Sequence, residues 1–292
     1  GFQDKADEGW KNIITAVHSE GGKIFPQLWH VGAMRKEGMA PDPKVPGYTP
    51  SGLVNTNKEA AHAMSADEVE MLIECFVNDI IKIKDLGFDG VELHGAHGYL
   101  IDNFFWEGTN QRDDEFGGAI DKRTKFACEI IERARIKVGR EFPIAIRFSQ
   151  WKQQDYEARI AHTPDELERF LKPLVTAGVD VFHASNRRYW EPEFDGSELN
   201  LAGWTKKLTG IPTITVGSVG LKSDFIGLYA GEDAVESAPI DELVLRLESE
   251  EFDMIAVGRA LLSDPEWVKK IREGRYEDII PFESKYAQSV YF

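Results

Sequence analysis

Residues His94 to Leu100 read HGAHGYL. Two imidazoles three positions apart, with a phenol two further on, can act on one small molecule. Paired imidazoles donate hydrogen bonds to a single carbonyl oxygen and polarise it. A phenol delivers a proton. The glycines Gly95 and Gly98 allow a tight turn beside a ligand. Two other readings stand beside this one. An H-x-x-H pair can chelate a metal, but a third ligand is needed and no carboxylate stands out for that role. Histidines are also often satisfied by backbone groups and do no chemistry.

A second group is poor in side chains. Gly217-Ser218-Val219-Gly220 offers backbone N–H donors with little bulk in the way, and Gly258-Arg259 adds donors and a permanent positive charge. Together they suit a phosphate, because a guanidinium forks onto its oxygens. Either turn alone is weak evidence, since turns use glycine anyway. Arg147, in PIAIRF, can face an electron-rich ring edge or simply pair with an acid. Gln27 is an amide on an apolar segment; if buried it must be hydrogen-bonded, and it complements a ligand bearing both donors and acceptors.

These residues share a position in the pattern. Six short apolar runs read as buried strands: 23–29, 90–93, 143–148, 179–183, 212–216 and 253–257. Amphipathic helical patterns alternate with them at 8–19, 65–86, 122–138, 163–177, 200–208, 234–248 and 265–273. Ser65 with Glu68 three residues on forms a capping box. Strand–helix alternation implies parallel strands and right-handed crossovers. The pieces Gly87-Phe88-Asp89, Gly178-Val179-Asp180 and Glu251-Phe252-Asp253 look alike, as repeated helix-to-strand turns do. No G-x-G-x-x-G follows a strand, which argues against a dinucleotide-binding sheet. In a β/α barrel reactive groups sit at the C-terminal strand ends. Those ends carry Gln27 and Trp29; His94, His97 and Tyr99; Arg147; His183 and Asn186 to Arg188; and the two glycine turns. The fold class is therefore α/β, a TIM (β/α)8 barrel with about six of its eight units in this sequence. The first two strands are expected to lie outside it, because the chain opens within a helical pattern and without Met. Residues 1–292 read as one domain. Residues 31–62 form a long polar loop with four prolines, the kind usually tied to function.

The composition narrows the partners. Fifty acidic residues face 34 basic ones, a formal charge of −16. That charge disfavours nucleic acid but not a small anion held by local cations. Two cysteines, Cys75 and Cys128, leave no disulfide scaffold and no protein-held iron–sulfur cluster in these residues. No run of 18 apolar residues occurs and no signal peptide leads the sequence, so a cytoplasmic protein away from the membrane is expected. An oligomer is compatible with everything above.

Together the motifs resemble the old yellow enzyme family of flavin-dependent ene-reductases. They are PQLWHVG (26–32), GVELHGAHGYLIDNF (90–104), NQRDDEFGG (110–118), RFS (147–149), TVGSVG (215–220) and VGRALLSDPEW (257–267). The resemblance implies a (β/α)8 barrel holding FMN, with NADPH or NADH as reductant. It implies an enone, enal or nitroalkene as the small-molecule substrate. Gln27 and Arg147 would contact the flavin ring, and Gly217, Ser218, Gly258 and Arg259 its phosphate. His94 and His97 would bind the substrate oxygen, Tyr99 would donate the proton, and Trp29 would shape the pocket. No metal is implied. Arg112 and Asp113 are read as structural. The alternative is an incomplete flavin-binding barrel without efficient turnover.

Overall fold

The computed structural model describes residues 4–224 and 234–288. The chain divides into two compact units, Gly1–Phe182 with Leu208–Ile211, and His183–Lys207 with Pro212–Phe292. Each is described on its own.

All six predicted strands form. They are β1 (Gln27–Leu28), β2 (Val91–His97), β3 (Ile144–Lys152), β4 (Val181–Ser185), β5 (Thr213–Val216) and β6 (Met254–Ile255). In the first unit β1 pairs with β2 and β2 with β3, all parallel. In the second unit β6 pairs with β5, again parallel. The helices are α1 (Asp7–Ser19), α2 (Ala66–Leu86), α3 (Leu100–Phe105), α4 (Lys125–Val138), α5 (Pro164–Ala177), α6 (Leu201–Thr209), α7 (Asp241–Glu248), α8 (Arg259–Ser263) and α9 (Trp267–Arg272). On α2, Val69, Ile73, Phe76, Ile80 and Ile83 recur at helical spacing and are buried. Such a stripe faces the core. Ser65 and Glu68 form the expected capping box, and Gly87 ends the helix in the left-handed region at φ 99°.

The repeated helix-to-strand turns have a shared physical basis. Asp89 accepts the Ile24 N–H at 2.9 Å and pairs with His18 and Lys23. Asp180 accepts the Ile144 N–H at 2.8 Å and pairs with Arg135. Asp253 accepts the Thr213 N–H at 2.9 Å and pairs with Lys206. Each aspartate also donates its own N–H to the carbonyl of the residue whose N–H it accepts. The carboxylate therefore locks the entry of one strand to the entry of its neighbour, and a cation covers the remaining charge. Burial works to raise the Asp89 pKa, but its hydrogen bonds to His18, Ile24 and Lys23 hold it far below the usual carboxylate range.

Several boundaries differ from expectation, and β1 covers only Gln27–Leu28 of the expected 23–29. β2 and β3 run four residues further than the apolar pattern suggested, to His97 and Lys152. Their last residues, His97 and Lys152, are polar, and apolar patterning stops short of them. The helix expected over 234–248 begins only at Asp241; Ala234-Val235 instead pairs antiparallel with Phe282-Glu283. Pro239 disfavours helical geometry in the residue before it. The long loop carries small ladders of its own, Tyr48–Thr49 with His62–Ala63 and Leu53–Asn55 with Lys58–Glu59. Arg112 fastens this segment by donating to the carbonyls of Pro50 and Met64, and it pairs with Asp114. That is the structural role expected of Arg112, with Asp114 as its partner and not Asp113.

Candidate active site

The extension of β2 changes where the histidines stand. His94 and His97 lie within the strand and not on a loop after it. His94 is level with Arg147 of β3, and His97 is level with Lys152, with a bulge between Gly95 and His97. In a regular strand, residues three apart point to opposite faces. Here the ladder is irregular: from Gly95–Phe148 to His97–Lys152 β2 advances two residues while β3 advances four, and His97 leaves strand geometry for a left-handed backbone at φ 64°. The two imidazoles end with their centroids 5.1 Å apart. Tyr99, the residue capping α3, brings its ring to 5.1 Å from His94. Trp29 meets Tyr99 edge-on at 5.0 Å.

These four side chains, with Gln27 and Gln153, line one cavity of about 240 Å³. His94 is buried, His97 and Tyr99 are half-buried, and Trp29 is 54% exposed. Gln27 and Trp29 also line a larger cavity of about 510 Å³ with Trp10, Leu28, Leu72 and Phe76. The Gln27 amide donates to Glu92 at 2.5 Å. Arg147 is half-buried; burial lowers its pKa while the Glu92 charge opposes the shift, and it stays a cation. Among the described residues no group of three or more histidine, cysteine or acidic side chains is placed to hold a metal ion.

Sequence reasoning missed four members of this neighbourhood. Gln153 donates to the Tyr99 hydroxyl oxygen at 3.3 Å. Trp151 stacks on His97 at 4.4 Å and 24°. Lys152 and Asp102 form a buried ion pair at 2.7 Å. Trp151, Lys152 and Gln153 lie in the run SQWKQ directly after PIAIRF, and Asp102 lies in LIDNF after the HGAHGY cluster.

The second unit places the glycine turns. After β5, Gly217 has φ 141°, Ser218 φ 52° and Gly220 φ 71°. A Cβ on Gly217 would lie 2.8 Å from the Asn186 carbonyl oxygen and 3.0 Å from that of Arg187, so only glycine fits. Ser218 Oγ sits 3.0 Å from the Arg187 carbonyl and 3.1 Å from that of Ser223. Arg259 donates to the carbonyls of Asp224 and Ser223 at 3.1 and 2.9 Å. Its guanidinium thus braces the turn after β5. Asp224, also buried, pairs with Arg188 at 3.0 Å and lies 3.5 Å from Arg187. Gly258 is exposed, and a Cβ there would meet nothing within 4 Å. The sequence marked Arg187 and Arg188 by position; it did not mark Asp224.

Comparison with known proteins agrees with this architecture. Residues 2–278 match the family model described as NADH:flavin oxidoreductase / NADH oxidase. An NADH oxidase of Thermoanaerobacter brockii is 36% identical over 286 residues, covering 94% of this chain and 40% of that protein. The 12-oxophytodienoate reductase 2 of Arabidopsis thaliana is 36% identical over 276 residues, covering 91% of this chain and 68% of the relative. The structure of the old yellow enzyme homologue from Zymomonas mobilis superposes with a TM-score of 0.74 at 24% identity, over 94% of this chain and 73% of that one. That likeness establishes the barrel fold. No described helix is long and apolar enough to cross a membrane. The sequence signature, the strand order and these matches agree: the chain belongs to the NADH:flavin oxidoreductase family, whose old yellow enzyme members share its fold.

Proposed function

We propose that this chain is the catalytic barrel of an FMN-dependent ene-reductase, using NADH or NADPH to reduce the C=C bond of an α,β-unsaturated carbonyl or nitro compound. The observation that carries the reading is the convergence of His94, His97 and Tyr99 on one cavity beside Gln27 and Trp29.

The donor set fits the cofactor. An amide at Gln27 and a partly desolvated guanidinium at Arg147 suit a ring that becomes electron-rich on reduction. Gly217, Ser218 and Gly258 offer backbone that suits phosphate oxygens, and Arg259 braces the Ser223–Asp224 backbone, on which the Ser218 hydroxyl also rests. A bound flavin would supply hydride transfer from the nicotinamide to the substrate β-carbon. The chain's own residues do the rest. His94 and His97 donate to the substrate oxygen and draw electron density toward it. Donors aimed at developing charge in a partly desolvated site contribute roughly 3–4 kcal/mol each. Tyr99 Oη delivers the proton to the α-carbon, and the amide of Gln153 donates to the phenolate left behind. Trp29 closes one wall against Tyr99. A cytoplasmic location and an enone, enal or nitroalkene partner belong to the same reading.

The test is a pair of half-reactions in the full-length flavin-loaded protein under anaerobic conditions. NADPH or NADH should bleach the flavin band, and 2-cyclohexenone should restore it. A band that bleaches and is not restored by enone or nitroalkene identifies a flavin-binding barrel without ene-reductase turnover.

A further inference from the structure

His97 and Gly98 are both left-handed, at φ 64° and 82°. A non-glycine residue stays at positive φ only where its surroundings over-determine it. Here the determinants lie beneath the pocket. The Asp102 carboxylate accepts the Gly98 N–H at 2.6 Å and the Lys152 ammonium at 2.7 Å. Both side chains are fully buried. Lys152 Nζ also donates to the Ser149 carbonyl at 2.9 Å, and Ser149 Oγ accepts the His97 N–H at 3.0 Å. The Gly98 carbonyl accepts from Asn103 at 3.0 Å and from Gln154 at 2.9 Å. Every backbone group named between the two pocket residues is therefore held from below.

Stability alone does not account for such a pair. Two buried charges lose their hydration, and replacing them with apolar groups of similar volume is often neutral or stabilising. Burial pushes Asp102 up to about 6, against the pull of Lys152, and pushes Lys152 down, against the pull of Asp102. Neither side chain lines the cavity. Both act on its walls.

We propose that the Asp102–Lys152 pair is a positioning device that fixes the 97–99 turn, so that the His97 imidazole and the Tyr99 phenol address the same bound molecule. This rests on the pocket reading given above. Asp102 supplies the anchor for Gly98. Lys152 holds that anchor in place and, through Ser149, ties it to the strand carrying Arg147. The effect is exerted on geometry, since neither group touches the substrate.

Two double variants of the full-length flavin-loaded protein test this. Asp102→Leu with Lys152→Met removes both charges and the acceptor for Gly98. Asp102→Asn with Lys152→Met removes the charges but keeps an oxygen for that N–H. In the Leu/Met variant, amide exchange across 97–100 should rise about tenfold or more while the melting temperature stays near that of the parent. Affinity for the probe 4-hydroxybenzaldehyde should fall roughly tenfold, and reoxidation by 2-cyclohexenone roughly 100-fold, as for a small misplacement of reacting groups. Flavin reduction by NAD(P)H should stay within about threefold, and the Asn/Met variant should recover most of each loss. If the Leu/Met variant does not fold, Lys152→Met alone is read by the same measurements. Exchange, probe affinity and enone rate all equal to the parent would reduce the pair to core filling. Failure of the underlying reading shows in the parent, which would then bind no probe and reduce no enone. Failure of the positioning role shows only in the ratio of variant to parent.

Discussion

The two units hold their functional residues by opposite means. In the first, side chains line the candidate cavity: the His97 and Tyr99 rings each have their centroid 5.1 Å from that of His94, and the Asp102 carboxylate, paired with Lys152, accepts the Gly98 N–H. In the second, the candidate surface is backbone, and the side chains of Ser218 and Arg259 are engaged with carbonyls of Arg187, Ser223 and Asp224. The first kind of site depends on its rings, on its phenol and on the backbone that aims them. The second tolerates side-chain changes at open positions such as Gly258, but not a Cβ at Gly217. This contrast gives the expected order of mutational effects.

The largest effect should come from Tyr99→Phe, which keeps the ring and removes only the proton. General acid catalysis is worth about 10²–10⁴-fold, so reduction of an enone should slow by that order in stopped-flow traces. A nitroalkene should respond less, because its hydride adduct is a stabilised nitronate that can leave unprotonated. Equal slowing of both, or of neither, would remove Tyr99 as the acid. Gly217→Ala should come next. The added Cβ meets two backbone oxygens at 2.8–3.0 Å, and the site has φ 141°. Strain at such positions costs of the order of 1–3 kcal/mol, so flavin retention and melting temperature should both fall. A variant that keeps its flavin at parental affinity would show that the turn can relax. Arg259→Ala should weaken flavin retention through the loosened turn by roughly 1.5–3 kcal/mol, with chemistry largely intact in the fraction that keeps its flavin. Equal flavin affinity in variant and parent would limit Arg259 to the packing it makes here.

The smallest effect lies away from both sites. Asp89 is held below its usual pKa by His18, Ile24 and Lys23 in the folded chain. Its stabilising contribution is therefore complete above the unfolded carboxylate value, near pH 4, and is lost as pH falls below it. Asp89→Asn should destabilise the parent by about 1–2 kcal/mol at pH 7 and by progressively less toward pH 2. Denaturant midpoints at several pH values measure this; a gap that stays constant with pH would detach the effect from the carboxylate charge.

Much of this was legible in the residues. All six strands and most helices followed from apolar periodicity, because buried strands and amphipathic helices carry that signal in every turn. The HGAHGYL cluster was legible because its residue types are chemically distinctive. Its geometry was not. The irregular ladder at His97 arises from pairing with β3, a non-local contact without a local pattern. The Asp102–Lys152 pair was hidden for the same reason, its partners being 50 positions apart. Asp224 was hidden because its ion pair with Arg188 joins residues far apart in the chain, with no local motif. The helix expected over 234–248 failed where Pro239 overrode the amphipathic pattern.

The central claim is that His94 and His97 together bind the oxygen of the substrate. Calorimetric titration of 4-hydroxybenzaldehyde into the flavin-loaded parent and into the His94→Ala/His97→Ala variant tests it directly, with the reoxidation half-reaction followed in parallel. Each lost donor to a charged oxygen should cost on the order of 2–4 kcal/mol, so probe binding should fall below detection and enone reoxidation should collapse, while NAD(P)H still bleaches the flavin. Unchanged probe affinity and unchanged enone turnover in the double variant would contradict the account.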